Sequence, residues 1–289
     1  MKTDLQFIVL LGGKSSRNYP HSKGLPHKAL LPLGDFKVIN YIISNIYNAG
    51  GRIITFVIAN DSYKKHFENC FVQEPKIEEK FRKKNNLQKV NLLKKTYLPN
   101  DLKINFIVQK TPLGIGHAVA ISAEQNKNVY VVFPDDIILS EKTHPFTRAV
   151  EEYEKTKSGN IVITREVEDP SRWGIIEKGI YVEKPKTSTS NEAVISSLIL
   201  DKSVVEIYKK QAKRLEKTEN RHDILNQVDA INQTAKQNPK MKIRTVPCLS
   251  SDTYLDCGTI EGYEKALIYT LLKDSVFSQN NKELMNNFF

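Results

Sequence analysis

The chain is short of cysteine and of long apolar runs, and both shortages carry information. Its three cysteines, Cys70, Cys248 and Cys257, are scattered, odd in number and never spaced as CxxC. That argues against a disulfide framework or a zinc knuckle and leads us to expect a reducing, cytoplasmic setting. No stretch approaches the roughly 20 apolar residues that a membrane helix needs. The apolar run 7–11 is short, follows an acidic residue and runs into glycines, so it does not read as a secretory signal. Internal repeats and long low-complexity segments are missing as well.

What is there suits one globular unit. The chain has 289 residues, of which 40% are hydrophobic and 26% charged. That is enough apolar material for a sizeable core. Lysine and arginine exceed aspartate and glutamate by 43 to 33, a net charge of +10. Such an excess favours anionic ligands; on charge alone these include nucleic acid, an acidic membrane surface and phosphorylated metabolites.

Apolar runs at 6–11, 52–59, 104–108 and 128–133 read as strands, with helical spacing at 38–49, ending on Gly50 and Gly51, and at 117–125. This alternation predicts an α/β fold: a mainly parallel, mixed sheet flanked by helices. Beyond it, helices are expected at 145–155, 204–215, 223–236 and 259–272. Strands are expected at 160–164, 192–200 and 242–247, with a hairpin at 173–177 and 179–183. We read residues 1–289 as a single domain. Residues 1–140 form its first half, 141–273 its second and 274–289 a tail that is frayed or docked on a neighbour. A homo-oligomer is compatible with the apolar helices and the Phe-ended tail. The first half carries a basic insertion near 72–100, whose core at 76–95 reads as an exposed helix. With only Phe81 and Tyr97 as nearby aromatics it makes a poor base-stacking platform, so neither nucleic acid nor a membrane is expected as partner.

Chemistry concentrates at the strand ends. After the first strand comes Gly12-Gly13-Lys14-Ser15-Ser16-Arg17, then Pro26-His27-Lys28 and a second proline at Pro32. Adjacent glycines let backbone N–H groups approach a phosphate, and Arg17 adds a forked cation. The loop fits neither GxGxxG nor GxxxxGK[ST]. After the third strand come Gln109, Gly114 and His117, a glutamine amide offering donor and acceptor to a base edge. The fourth strand runs into Pro134-Asp135-Asp136, and Asp256 follows in Tyr254-Leu255-Asp256-Cys257-Gly258. Carboxylates at strand ends sit where ligands bind in open α/β sheets, and two hard oxygen donors suit Mg²⁺. Trp173-Gly174 precedes Tyr181-Val182-Glu183-Lys184-Pro185 in the second half.

The loop and its lysine resemble the GGxGTR…PK…LP signature of the sugar-phosphate nucleotidylyltransferases. Gln109…Gly114-Ile115-Gly116-His117 is similar to that family's Q…GLGHAV, Trp173-Gly174-Ile175-Ile176 to YGVV, Val182-Glu183-Lys184-Pro185 to VEKP, and Asp256-Cys257-Gly258 to DCG. The likeness reaches about Tyr263 and is strongest to the bacterial UTP–glucose-1-phosphate uridylyltransferases. Three departures stand out: Ser15 where the family usually has Gly, Ser16 for Thr, and His27 inserted before Lys28. Ser196 also falls where the family tends to have Gly. The resemblance implies a Rossmann-like nucleotidyltransferase fold and transfer of a uridylyl group from UTP to glucose-1-phosphate. It further implies Gly12, Gly13, Gln109 and Gly114 at the nucleotide and Gly174, Glu183 and Lys184 at the sugar phosphate. Arg17, Lys28 and Lys184 would be catalytic cations, and Asp135 and Asp256 would hold Mg²⁺. Two alternatives stay open: the same chemistry with dTTP or another sugar-1-phosphate, and a nucleotide-sugar-binding regulatory protein without activity.

Overall fold

The computed structural model describes residues 3–157, 159–215, 225 and 227–288. The first strand, Gln6–Leu11, sets the architecture, because its side chains alternate between two apolar layers. Phe7, Val9 and Leu11 enter one core cluster, and Ile8 enters the other. The first layer is closed by the helices Val38–Asn48 and Pro145–Thr156, the second by Ile115–Ser122, Lys202–Leu215 and Val228–Gln237. The result is a sheet sandwiched between helices.

Among the described residues nine strands form that sheet. The strand Gln6–Leu11 lies between Ile53–Ile58 and Val129–Val132, and Lys103–Val108 flanks Ile53–Ile58, all in parallel register. Glu192–Leu200 then pairs antiparallel with Val129–Val132 and carries the sheet into the second half. It also pairs with Asn160–Glu166, to which Ile243–Pro247 adds in parallel, and it touches the hairpin Gly174–Glu177 and Ile180–Glu183. The sheet is therefore mixed: parallel in the first half and largely antiparallel beyond. It crosses residue 140 without a break.

Glu192–Leu200 can serve so many neighbours because its register shifts between Ile195 and Leu198. At the shift Ser196 adopts φ 61°, a left-handed conformation that costs a non-glycine residue energy. Its amide donates to Asp136 Oδ2 at 2.9 Å and its hydroxyl to the Asp136 carbonyl at 3.0 Å.

Three features differ from the sequence reading. The basic insertion is two helices, Pro75–Lys83 and Leu87–Lys95, because Asn85 turns left-handed between them and the Asn86 side chain caps the second. Only Val90 of the pair is fully buried. The tail contains a helix, Ser278–Phe288, with Leu284 and Met285 exposed. A small separate ladder, Asp136–Ser140 against Asp252–Asp256, was not anticipated and is decisive for the site. Of the helix expected over 223–236, Asp223, Ile224 and Asn226 lie outside the described residues. Among the described residues no helix is long and apolar enough to cross a membrane.

The turn after the first long helix is packed to its limit. A Cβ on Gly51 would lie 2.5 Å from Ile46 Cγ2 and 2.9 Å from the Phe7 ring. Gly51→Ala should therefore destabilise the fold by about 1–3 kcal/mol through overpacking. Urea unfolding checks this, and an unchanged midpoint would contradict the packing.

Candidate active site

The C-terminal ends of the parallel strands open into a cleft of about 900 Å³. All eleven residues singled out from the sequence line it: Gly12, Gly13, Arg17, Lys28, Gln109, Gly114, Asp135, Gly174, Glu183, Lys184 and Asp256. They arrive from different elements, which is how open α/β sheets build sites at their strand ends.

At one end Gln109 follows the strand Lys103–Val108 and is held by its own amide, which donates to the Ile58 carbonyl at 2.8 Å. The side chain is buried. Its Nε2 donates to the Gly114 carbonyl at 3.2 Å and lies 3.0 Å from His117 Nδ1. A carbonyl can only accept, so the NH₂ group faces Gly114 and both its hydrogens are committed within the protein. What remains toward the cleft is Oε1, 3.1 Å from where a Cβ on Gly12 would sit. The expectation that Gln109 offers both a donor and an acceptor to a base is corrected here: it presents an acceptor. His117 is a buried orienting group for Gln109.

The centre is charged. Asp135 and Asp136 follow the strand Val129–Val132, and the short ladder sets Asp256 opposite Asp136. Asp135 and Asp256 converge on one point. A Cβ on Gly258 would lie 2.7 Å from Asp135 Oδ2 and 2.9 Å from Asp256 Oδ1. Only a residue without a side chain leaves that space open. Lys28 Nζ sits 2.5 Å from Asp135 Oδ2, and an Arg17 guanidinium nitrogen is 3.4 Å from the same oxygen. Burial by itself would raise the Asp135 pKa, but the Lys28 charge and hydrogen bond, helped by Arg17, outweigh it and hold the carboxyl below its usual range. Asp256 accepts from the Gly258 amide at 2.7 Å and the Thr259 hydroxyl at 2.9 Å. Thr259 also caps the helix Ile260–Tyr269, whose N-terminus favours negative charge.

Asp136 behaves differently. Both its oxygens are bonded inside the protein, to the Ser196 amide at 2.9 Å and the Tyr254 hydroxyl at 2.6 Å. Burial, then the neighbouring Asp135 charge, pushes its pKa up to about 7. Asp136 is thus a bonded structural carboxyl; a solvated one would have its oxygens in water. Cys257 is buried, its thiol pKa pushed up chiefly by burial, so it is no nucleophile.

The gap between Asp135 and Asp256 fits a hard divalent cation in chemistry and in space, two carboxylate oxygens facing a common void. Among the described residues no group of three or more His, Cys, Asp or Glu side chains is arranged as a metal site. Further ligands would have to come from a bound phosphate and water, and Lys28 would have to leave the Asp135 oxygen.

The far end is the hairpin. Gly174 packs on Tyr181, whose hydroxyl accepts from Gln227 Nε2 at 3.1 Å. Glu183 and Lys184 are exposed, and among the described residues neither side chain joins an ion pair. Lys184 is held at φ 44°, its amide donating to the Trp173 carbonyl at 2.9 Å. Trp173 lines the cleft while its ring meets Tyr254 edge-on at 6.0 Å. Tyr254, Thr259 and Arg172 also line the cleft and were missed from sequence. For Tyr254 a signal existed, since it lies two residues before Asp256 and a strand puts such residues on one face.

A model of the nucleotidyl transferase family matches residues 6–271. A UTP–glucose-1-phosphate uridylyltransferase of Bacillus subtilis is 31% identical over 214 residues, 69% of this chain and 71% of that protein. The fold superimposes on a UDP-glucose pyrophosphorylase from Acinetobacter baumannii with a TM-score of 0.80 at 20% identity, covering 99% of this chain and 100% of that one. It superimposes on a UDP-glucose pyrophosphorylase complexed with UDP-glucose with a TM-score of 0.70 at 25% identity, covering 91% and 97%.

The raised Asp136 pKa makes a signed prediction. The unfolded carboxyl ionises near 3.8 and the folded one near 7, so between those values the unfolded state releases its proton first. Stability is lost as pH rises through this window, by an amount on the order of a few kcal/mol. Asp136→Asn mimics the protonated form. It should match wild type near pH 4 and gain on it progressively up to pH 7 in thermal unfolding without divalent ions. A difference independent of pH would contradict the assignment.

Proposed function

We propose, on the premise that this chain belongs to the nucleotidyl transferase family, that it makes UDP-glucose and pyrophosphate from UTP and glucose-1-phosphate. The observation that carries this reading is the single cleft uniting a base-facing acceptor, cations, two converging carboxylates and a second lysine-bearing hairpin. The curated uridylyltransferase relative and the neighbour complexed with UDP-glucose support the substrate pair. The scattered free cysteines fit a cytoplasmic setting.

In this reading the Gln109 Oε1 accepts from the N3–H of uracil, and the cleft side of Gly12 and Gly13 admits the nucleotide close to the backbone. Arg17, whose side chain is 70% exposed, is free to fork onto the phosphates. Lys28 exchanges its Asp135 oxygen for a phosphate oxygen, which keeps its charge compensated throughout. Lys184 holds the sugar phosphate, and Glu183 accepts from sugar hydroxyls. A sugar-phosphate oxygen then forms a bond to the α-phosphorus of UTP while the bond to the β-phosphate oxygen breaks in line, releasing pyrophosphate. The nucleophile is already ionised, so no side chain need remove a proton. Catalysis is positioning and charge neutralisation. Asp135 and Asp256 would hold Mg²⁺, which when bound supplies a Lewis acid and a template for two anions that repel each other.

Pyrophosphate release with glucose-1-phosphate should be fastest with UTP among UTP, dTTP, CTP and ATP. Release with no nucleotide in a panel of sugar-1-phosphates would overturn the reading in favour of a binding role. Asp135→Asn should cut kcat about 100-fold or more while the protein still unfolds cooperatively. Gln109→Leu should lower kcat/KM for UTP about 10- to 100-fold, having lost one buried acceptor.

A further inference from the structure

The segment that delivers Lys28 contains a group the reaction above leaves unused. His27 is only 1% exposed. It caps the short turn Lys28–Leu30: its Nδ1 accepts a hydrogen bond from the Ala29 amide at 3.1 Å. A ring nitrogen that accepts carries no proton, so in the neutral ring the hydrogen sits on Nε2. Neutrality is enforced by burial and then by the adjacent Lys28 charge, which lower the His27 pKa to about 3.

That Nε2–H has no hydrogen-bond partner among the described residues and is not sealed in the protein: the ring is 1% exposed and it is the cleft that it lines. The ring lines the cleft beside the glycine loop. A Cβ on Gly13 would lie 3.7 Å from Nε2, and glycine leaves that space to a ligand atom. The loop and the turn are also fastened together, since Ser15 Oγ accepts from the Lys28 amide at 2.9 Å. Ser15 stands at φ 54°, and this bond offsets part of the strain. The donor is therefore fixed before any ligand arrives. An acceptor seated there, between the cations Lys28 and Arg17, would be an oxyanion.

We propose that His27 donates its Nε2–H to a phosphate oxygen of the bound nucleotide at Gly13, as a member of the phosphate cradle. This rests on the nucleotide reading above and deepens it.

Two variants separate this role from simple capping. His27→Asn keeps a good cap acceptor for the Ala29 amide but is too short to reach Gly13. His27→Gln places an amide donor near the old Nε2 position and gives up the cap. Binding of UTP and of uridine is measured calorimetrically, alongside thermal unfolding. We expect His27→Asn to keep the wild-type melting temperature, to lose about 10- to 100-fold in UTP affinity and to bind uridine unchanged. His27→Gln should melt lower yet recover most of the UTP affinity. UTP affinity in His27→Asn equal to wild type, or UTP and uridine affinities falling together with the melting temperature, would overturn the proposal. If wild type prefers another triphosphate, the uridylyl reading fails on its own, and that nucleotide and its nucleoside decide the His27 question in the same way. A wild type that binds no nucleoside triphosphate would overturn both.

Discussion

Carboxylates crowded into a half-dry cleft have to be neutralised, and the structure around this cleft is organised by that constraint. Three of them meet here, each handled differently. Asp135 is paired with Lys28 at 2.5 Å. Asp256 accepts from the Gly258 amide and Thr259 at the start of a helix. Asp136 stays protonated up to near neutral pH and is tied to Ser196 and Tyr254. Removing one partner of a largely buried ion pair typically costs roughly 3–5 kcal/mol, because the other charge is left uncompensated. The resting cleft is thus balanced by its own lysine.

That balance suits a protein whose ligands are themselves polyanions. A triphosphate would give Lys28 and Arg17 a new partner, and the Asp135 carboxylate they share would then be open, beside Asp256, to a divalent cation. On the proposed reading, binding is an exchange of counter-charges in which no group is stranded. The strained backbone follows the same logic. Ser15 and Ser196 both occupy left-handed conformations, and both spend hydrogen bonds there, on the Lys28 amide and on Asp136. The strain is thereby placed where it fixes the position of charged groups.

Much of this was legible in the residue order. Short apolar runs gave the parallel strands almost to the residue: 6–11 was expected and Gln6–Leu11 is found. Gly12, Gln109 and Lys184 directly follow strands, while Arg17, Lys28, Gly114, Gly174 and Asp256 could be named because their motifs resemble those of a known family. The ladder Asp136–Ser140 with Asp252–Asp256 was hidden, since its pairing spans over a hundred residues and neither strand is long or strongly alternating. The division of labour between Asp135 and Asp136 was hidden for a related reason. Which of two adjacent carboxyls stays charged depends on surroundings made by folding: the Lys28 charge keeps Asp135 ionised, while burial and then the Asp135 charge itself keep Asp136 protonated. Gln109 shows the limit from another side: its type allows a donor and an acceptor, and only the Gly114 carbonyl and His117 decide which is left over.

The central claim is that Asp135 and Asp256 share one cation once a nucleotide has drawn Lys28 away. Mn²⁺, as a paramagnetic substitute for Mg²⁺, can be titrated by electron paramagnetic resonance into the protein with and without a non-hydrolysable UTP analogue. The account predicts tight Mn²⁺ binding by wild type only when the analogue is present, and its loss in Asp256→Asn. Mn²⁺ bound as tightly by Asp256→Asn as by wild type, in the presence of the analogue, would contradict it.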